Sequence, residues 1–316
     1  MSIRPFDWRD IFAFHRWRGE GVFLHSAWML TRGPLSMPGA MLSSLTSAGG
    51  LVTAVYQTEN GDLPLIGQAI QSGGSSWAHL LFLTPAQAIN ALSLGGLHEH
   101  FAQVVTPRGA LRFLADIDEQ SPTFEVLRQV GYAVYSRQRI WQLPKETGMD
   151  QMPQTSGWRV AVEGDLIAIR SLYHNIVPPL VQQVEPPPAV PPRGLVYQTG
   201  EGLLAYVELR YGQRGIWIQP LFHPDLQNLK AVWGELIHQV PYRFARPVYV
   251  CVRSYQAWIE TVLESLGAEA SPQQAVMVKH LSISRRAVQP VTVPILENGQ
   301  AEISVPFVNV ENSHNV

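Results

Sequence analysis

The chain has 316 residues, of which 46% are hydrophobic and 15% charged, and its net charge at pH 7 is −2. This length suits two domains of ~150 residues, and the apolar content excludes a mainly disordered protein. The near-neutral charge offers no basic face for nucleic acid, and no apolar run approaches the ~18 residues of a membrane helix. Charged residues, among them Arg4 and Asp7, interrupt the N-terminus, so we expect no secretion signal. We therefore expect a cytoplasmic protein without nucleic-acid or membrane partners.

The first half shows alternating strand and helix patterns. Strand patterns flank Asn60-Gly61, which is a strong hairpin signal because both central residues need a positive φ. Thr84-Pro85-Ala86-Gln87 has the form of a capping box with proline at the first helical position, so we predict a helix start there. The predicted elements are, in order, strand 3–6, helix 7–18, strands 51–57, 63–71 and 77–83, helix 84–105, strand 111–117, helix 121–129 and strand 132–143.

The second half repeats this order. Five prolines between 186 and 192 predict an extended crossing loop after its first helix. Each half therefore follows the order β-α-β-β-β-α-β-α-β, which predicts an α/β layer structure with a mixed sheet covered by helices. The predicted elements are strand 158–162, helix 164–177, strands 195–198, 203–210 and 215–220, helix 225–239, strand 247–252, helix 255–266 and strand 273–281.

Both halves also end on a similar phrase before a glycine. These phrases are VLRQVG at 126–131 and VLESLG at 262–267, and a glutamine, Gln120 or Gln256, stands eleven positions before each glycine. A match of order and spacing on this scale is an internal repeat. The sequence therefore predicts one structural unit used twice.

The repeat sets the predicted domain organisation. We expect tandem domains at 1–145 and 158–283, joined by a polar linker at 146–157. The tail at 284–316 alternates apolar and polar residues around Asn298-Gly299, which predicts a hairpin limited to edge positions by its prolines. Packing on a domain, pairing with a protein partner or a second copy, and disorder all stay open for this tail.

This order of elements, closing on VLRQVG and VLESLG, resembles the GNAT superfamily of acyl-coenzyme A dependent N-acyltransferases in its tandem two-domain form. The resemblance covers residues 1–281. It implies two mixed sheets, each splayed open between its fourth and fifth strands, with the pantetheine arm in the gap bonded to free backbone groups. The next helix presents its N-terminal N–H groups to the pyrophosphate, where orphan donors and the helix dipole favour an anion.

The resemblance implies an acyl-coenzyme A, such as acetyl-coenzyme A, as co-substrate and a small amine as acceptor. Cys251 is the only cysteine, so no thiolate metal site can form, and we expect no metal. The family's pyrophosphate loop, [Q/R]-x-x-G-x-[G/A], is missing from both halves. In the second half Asp225 places a carboxylate where the diphosphate would lie, so we expect the nucleotide in the first half. The residues implied to contact it are Leu83, Thr84, Ala86, Gln87, Ala88 and Gln120.

The catalytic pattern of the family is incomplete. Many members place a proton-donating tyrosine four residues before the final glycine, and this chain has Leu127 and Leu263 there. A general base would have to come from the sheet, and the first half offers Glu119 and His79. For both residues, surface exposure or a structural hydrogen bond remains the alternative.

Other polar and aromatic residues give weaker signals. Glu208 and His223 are the second-half counterparts of the two base candidates, and Tyr132 and Tyr211 are either replacement acids or packed aromatics. Residues His98 and His100 stand two apart on a predicted helix and point to different sides, which argues against a shared metal ion.

Two functions follow from these patterns. One is a GNAT-like N-acyltransferase that moves an acyl group from acyl-coenzyme A to a small amine. The other is a non-catalytic tandem GNAT-like protein that binds a different ligand or recruits a partner. The missing glycines and tyrosine leave both open.

Overall fold

The computed structural model describes residues 2–17, 19–33, 50–57, 63–145, 157–188, 190–200 and 202–281. The predicted turn at Asn60-Gly61, the predicted linker up to residue 156 and the whole predicted tail lie outside these described residues. Within the described ranges, no helix is long and apolar enough to cross a membrane.

The structure is built from strands and helices in alternation. The strands are β1 (Ser2–Pro5), β2 (Val22–Phe23), β3 (Leu51–Gln57), β4 (Leu65–Ile70), β5 (Trp77–Thr84), β6 (Arg112–Asp118), β7 (Ala133–Leu143), β8 (Trp158–Val160), β9 (Gly194–Thr199), β10 (Gly202–Tyr211), β11 (Ile216–Phe222), β12 (Val248–Arg253), β13 (Glu269–Ala270) and β14 (Gln274–His280). The α-helices are α1 (Ile11–Trp17), α2 (Ser26–Arg32), α3 (Ala91–Val105), α4 (Pro122–Gln129), α5 (Leu166–Ile176), α6 (Pro179–Val184), α7 (Leu229–Gln239) and α8 (Glu260–Ser265).

The predicted order of elements is confirmed in both halves. The short elements β2, α2, α6 and β13 were not predicted, because two to seven residues carry too little periodicity to be recognised. The predicted helix start at Thr84 is wrong. The helix begins at Ala91, where the Asn90 side chain accepts hydrogen bonds from the backbone N–H groups of Leu92 and Ser93 and acts as the N-cap.

One mixed sheet runs through both halves in the order β1-β3-β4-β5-β6-β14-β7-β12-β11-β10-β9-β8. The last strand of each half lies against the other half. Thus β14 pairs with β6 from Gln274↔Asp118 to His280↔Arg112, while β7 pairs with β12. The two halves therefore complete each other's sheet, and Met1–Ile283 form a single compact unit.

The sheet splays open at the two predicted places. Strands β5 and β6 are parallel and pair only up to His79↔Leu114, and β11 and β12 pair only up to Ile218↔Val250. Beyond these residue pairs, β5 separates from β6 and β11 separates from β12. We call these openings the first gap, between β5 and β6, and the second gap, between β11 and β12.

The hydrophobic cores explain two of the residues that depart from the family pattern. Leu127 packs in the first-half core and Leu263 in the second-half core, and both are fully buried. A further cluster places Tyr173 of α5 and Val181 of α6 against Val276 of β14, so helices of the second half cover the centre of the sheet.

Candidate functional site

A cavity of about 270 Å³, here called the central cavity, lies where the two halves meet. Its wall is built by residues of β5, β6, β7, β10, β11 and β14, of the α5 helix, and of the proline-rich segment at 186–188. The chain exchange described above places β14 and β7 side by side at the centre of this wall. The cavity therefore exists only because both halves contribute to one sheet.

Aromatic side chains form much of the wall. Burial raises the pKa of the Tyr173 hydroxyl to about 12 and raises that of Tyr135 well above its ordinary value. These hydroxyls therefore stay neutral at physiological pH. The aromatic residues that line the cavity are Trp77, Tyr135, Tyr173, Tyr206, Trp217 and Tyr255.

Charged groups in the cavity are mostly paired. The guanidinium of Arg253, which is 7% exposed, donates from Nη2 to Oε1 of Glu185 at 2.5 Å, and the Tyr135 hydroxyl donates to the same oxygen at 2.6 Å. Arg210 donates from Nε to Oε1 of Glu208 at 2.8 Å. Burial by itself would lower the pKa of Arg253, but the negative charge of Glu185 outweighs it and holds the pKa well above its usual range, so the guanidinium stays protonated.

A third carboxylate, Asp116, anchors a helix to the cavity floor. Both of its oxygens accept from the backbone N–H of Ser26 at 3.0 Å, at the start of α2, and Gln138 Nε2 donates to it at 2.9 Å. A carboxylate at a helix N-terminus is favoured by the orphan N–H groups and by the helix dipole. The cavity thus holds the three carboxylates of Asp116, Glu185 and Glu208.

Two histidines stack in the cavity wall. The rings of His25 and His79 lie 4.1 Å apart and are nearly parallel, at 7°. Burial, followed by the positive charge of Arg210, lowers the pKa of His25 to about 3, and burial also lowers the pKa of His79 well below its ordinary value. Both imidazoles are therefore neutral. Parallel rings direct their in-plane lone pairs along separate planes, so the pair is unsuited to sharing one metal ion.

The two predicted base candidates lie in different places. His79 lines the central cavity. Glu119 lies at the surface end of β6, where Arg137 Nε donates to its Oε1 at 2.7 Å. Of their second-half counterparts, Glu208 lines the cavity, while His223 lies 3.6 Å from the exposed carboxylate of Asp225.

The remaining candidates are placed by packing. Tyr132 is buried in the first-half core, and burial raises the pKa of its hydroxyl, whereas Tyr211 is 42% exposed. His98 is buried against Phe113 and Tyr132. Among the residues that the structure describes, no group of three or more His, Cys, Asp or Glu side chains could hold a metal ion.

The sequence did not reveal the Tyr135, Glu185 and Arg253 cluster, which joins residues from three distant segments. Within this cluster, Glu185 directly precedes the prolines at 186–188. A charged residue before a rigid loop is common on surfaces, so its burial could not be foreseen.

Comparison with known proteins adds the fold family. No protein-family model matches the chain, and no curated protein matches it by sequence. Among solved structures, a GCN5-related N-acetyltransferase from Sphaerobacter thermophilus is 14% identical with a TM-score of 0.50, covering 88% of this chain and 95% of that one. The chain has the GNAT fold. At this identity the likeness establishes the fold alone.

Two other GNAT structures align with this chain over a similar length. A tandem GNAT protein from the clavulanic acid biosynthesis pathway is 13% identical, with a TM-score of 0.48 over 88% of this chain and 98% of that one. A GNAT-family acetyltransferase from Colwellia psychrerythraea is 10% identical, with a TM-score of 0.41 over 89% of this chain and 100% of that one.

In this GNAT fold the first gap is filled by the chain itself. The strand β2 pairs with the end of β5 through Val22↔Leu83, and the Leu24 N–H donates to the Leu81 carbonyl at 2.8 Å. On the other side of the gap, the Asp116 N–H donates to the Leu24 carbonyl at 2.9 Å. Residues 22–24 therefore occupy the strand-like position in which the family resemblance implied that the pantetheine arm would lie.

The residues predicted to hold the pyrophosphate are bonded to the same part of the chain. The Thr84 hydroxyl donates to the Trp17 carbonyl at 2.6 Å, and the Ala86 N–H donates to the Glu20 carbonyl at 2.9 Å. Gln87 Nε2 donates to the Glu20 carboxylate at 3.3 Å. These three donors are already hydrogen-bonded within the chain, and the Glu20 carboxylate lies beside them and would repel a phosphate. The first gap therefore does not fit a coenzyme A pyrophosphate in the expected pose.

Ala88 and Gln120, the last two predicted contacts, also lie outside such a site. The Ala88 N–H donates to the Pro85 carbonyl at 3.1 Å within the short turn before α3. Gln120 is exposed, and its backbone N–H donates to Oδ1 of Asp118 at 2.9 Å. The structure gathers neither residue at the central cavity.

Proposed function

We propose that this GNAT-fold protein binds a small organic amine in the central cavity. The observation that carries the proposal is the combination of an aromatic wall with an excess of carboxylates over guanidinium groups. A volume of about 270 Å³ lies just below the ~300–1,000 Å³ of pockets for drug-sized ligands, so the ligand is small.

The sign of the charge decides between an amine and an acid. The cavity is lined by Asp116, Glu185 and Glu208 on the acidic side and by Arg210 and Arg253 on the basic side. With both imidazoles neutral, this leaves one net negative charge. An ammonium ion offsets that charge, whereas a carboxylate adds to it in a partly dry site where like charges repel strongly.

The uncharged groups of the wall also suit an amine. Tryptophan and tyrosine faces attract a desolvated cation by ~2 kcal/mol or more. Neutral imidazoles of His25 and His79 can accept hydrogen bonds from an ammonium group without repelling it.

Binding of matched probes tests the proposal. Phenethylamine, phenethyl alcohol and phenylacetate share one ring and differ in the charge of the end group. Isothermal titration calorimetry should show the amine binding at least tenfold more tightly than the alcohol, and the acid binding most weakly. Tighter binding of the acid than of the amine would overturn the proposal.

Acyl transfer to the bound amine is a second candidate, favoured by the fold shared with the Sphaerobacter thermophilus acetyltransferase. Its donor would be an acyl-coenzyme A. Incubation of the protein with acetyl-coenzyme A and a panel of small amines, followed by thiol release and mass spectrometry of the amine, tests it. Acetylated amine above the protein-free rate supports transfer, and none at any amine of the panel opposes it.

A further inference from the structure

Both gaps of the splayed sheet are filled by groups of this chain. We infer that an acyl-coenzyme A cannot bind in either gap by pairing with the opened strands as an added strand would. The first gap is filled by main chain, as described above. The second gap is filled by a single side chain, that of Gln256. This inference concerns the donor and does not depend on which ligand the central cavity binds.

Backbone alternation identifies the groups that a ligand would use in the second gap. The N–H of Ile216 points across the gap to the Pro247 carbonyl, so every second residue of β11 after it faces β12. Beyond the last pair, Ile218↔Val250, these residues are Pro220 and Phe222. Since proline has no N–H group, the first groups that a strand-like guest would meet here are the Pro220 carbonyl and the Phe222 N–H.

Gln256 takes both of these groups. The Phe222 N–H donates to Oε1 of Gln256 at 2.9 Å, and Nε2 of Gln256 donates to the Pro220 carbonyl at 3.0 Å. Gln256 is 1% exposed. One amide side chain thus bonds to β11 as a neighbouring strand would. A guest that displaced it would leave a buried amide without partners.

We call residues 22–24 the plug of the first gap and Gln256 the plug of the second gap. The first gap is closed more firmly, because its plug is hydrogen-bonded to strands on both sides. Residues 22–24 bond to β5 and to β6, and residue 20 bonds to the turn after β5. The chain enters the gap through Gly21, where a Cβ atom would lie 2.2 Å from the ring of Phe82. Only glycine allows this close approach.

The two plugs differ although they stand at equivalent points of the repeat. Gln120 is the repeat equivalent of Gln256, but it is exposed, and the first gap is filled by β2 instead. In each half the opened sheet leaves backbone groups without a strand partner. Different residues bond to these groups in the two halves. The gaps in the sheet are therefore filled in this protein, whereas the central cavity on the face of the sheet is the open site.

Hydrogen exchange followed by mass spectrometry tests this inference, with acetyl-coenzyme A as the probe. In the wild-type protein, 1 mM acetyl-coenzyme A should leave the exchange of peptides covering 20–25 and 218–224 unchanged. Slower exchange in either peptide on adding the probe would overturn the inference.

A pair of variants tests the second plug directly. Gln256→Met keeps the volume and removes both hydrogen bonds, so the Phe222 N–H should exchange roughly tenfold faster. Gln120→Met, at the equivalent exposed position, should leave exchange at Phe222 unchanged. Equal protection of Phe222 in the wild type and in Gln256→Met would contradict the role of Gln256, and the wild-type titration remains decisive if the variant is poorly folded.

Discussion

The Arg253 guanidinium at the end of β12 is held by the Glu185 carboxylate, with Nη2 and Oε1 2.5 Å apart. Glu185 immediately precedes the prolines at 186–188 that form one wall of the central cavity. The backbone of Glu185 is fixed as well, since the Tyr173 hydroxyl donates to its carbonyl at 2.7 Å. This ion pair therefore ties the proline-rich wall to β12, near the centre of the sheet.

Breaking this pair should destabilise the protein. Glu185→Gln removes the charge that balances Arg253, a side chain only 7% exposed, and should lower the free energy of unfolding by about 2 kcal/mol. Urea unfolding followed by circular dichroism measures this loss. Glu163→Gln, at an exposed position, is the control and should change stability by less than ~0.5 kcal/mol. An equal loss in both variants would contradict the structural role of the pair.

Removing a cavity carboxylate should weaken amine binding. Glu208→Gln brings the net charge of the cavity from one negative to neutral and leaves Arg210 without its carboxylate partner. We expect phenethylamine to bind about tenfold more weakly, and phenylacetate more tightly, as measured by calorimetry. Glu264→Gln, an exposed change on α8, should leave both affinities as they are. Unchanged amine affinity in Glu208→Gln would argue against recognition by charge.

The two stacked histidines should make stability depend on pH. Their folded-state pKa values lie below the ordinary value of 6.5, at about 3 for His25 and well below 6.5 for His79. As pH falls below 6.5 the unfolded chain binds protons that the folded protein does not, so stability is present above pH 6.5 and is lost as pH falls towards 3. Each ring adds a slope of up to about 1.4 kcal/mol per pH unit in this window.

A double variant isolates this contribution. His25→Gln combined with His79→Gln should flatten the fall in unfolding free energy between pH 6 and pH 4, measured by urea unfolding at each pH. His15→Gln, at an exposed position of α1, should keep the wild-type slope. An unchanged slope in the double variant would show that the buried rings do not resist protonation. Arg32, Arg210 and Arg253 favour the neutral rings, and Asp116 opposes them at His79.

Residues 22–24 enter the first gap through Gly21, so adding one methyl group at Gly21 should lower the free energy of unfolding. In Gly21→Ala the new Cβ atom would meet the Phe82 ring at 2.2 Å, so we expect a loss of about 1–3 kcal/mol in the free energy of unfolding. Gly19→Ala is the matched control, because nothing lies within 4 Å of a Cβ atom built there. Comparable stability of the two variants would mean that the chain leaves the first gap easily.

Part of the candidate site was visible in the sequence. His79 was predicted from its place on the fourth strand, and it does line the cavity, because strand alternation fixes the face to which a side chain points. Glu119 was predicted from its position at the end of a strand, and the structure pairs it with Arg137 instead. A carboxylate at a strand end has many neighbours available in the tertiary structure, and local sequence does not select among them.

The two points where the sheet opens were implied by the resemblance to the GNAT superfamily. By itself the sequence determined the α/β class, the order of elements and the repeat. Hydrophobic periodicity and turn residues act over a few neighbouring positions, so these features can be read locally. Only the tertiary structure decided the strand exchange, the two plugs and the lining of the cavity. They depend on pairings between distant residues, such as the Ser26 hydroxyl donating to Gln274, 248 positions away. Such pairings are fixed by packing the whole chain.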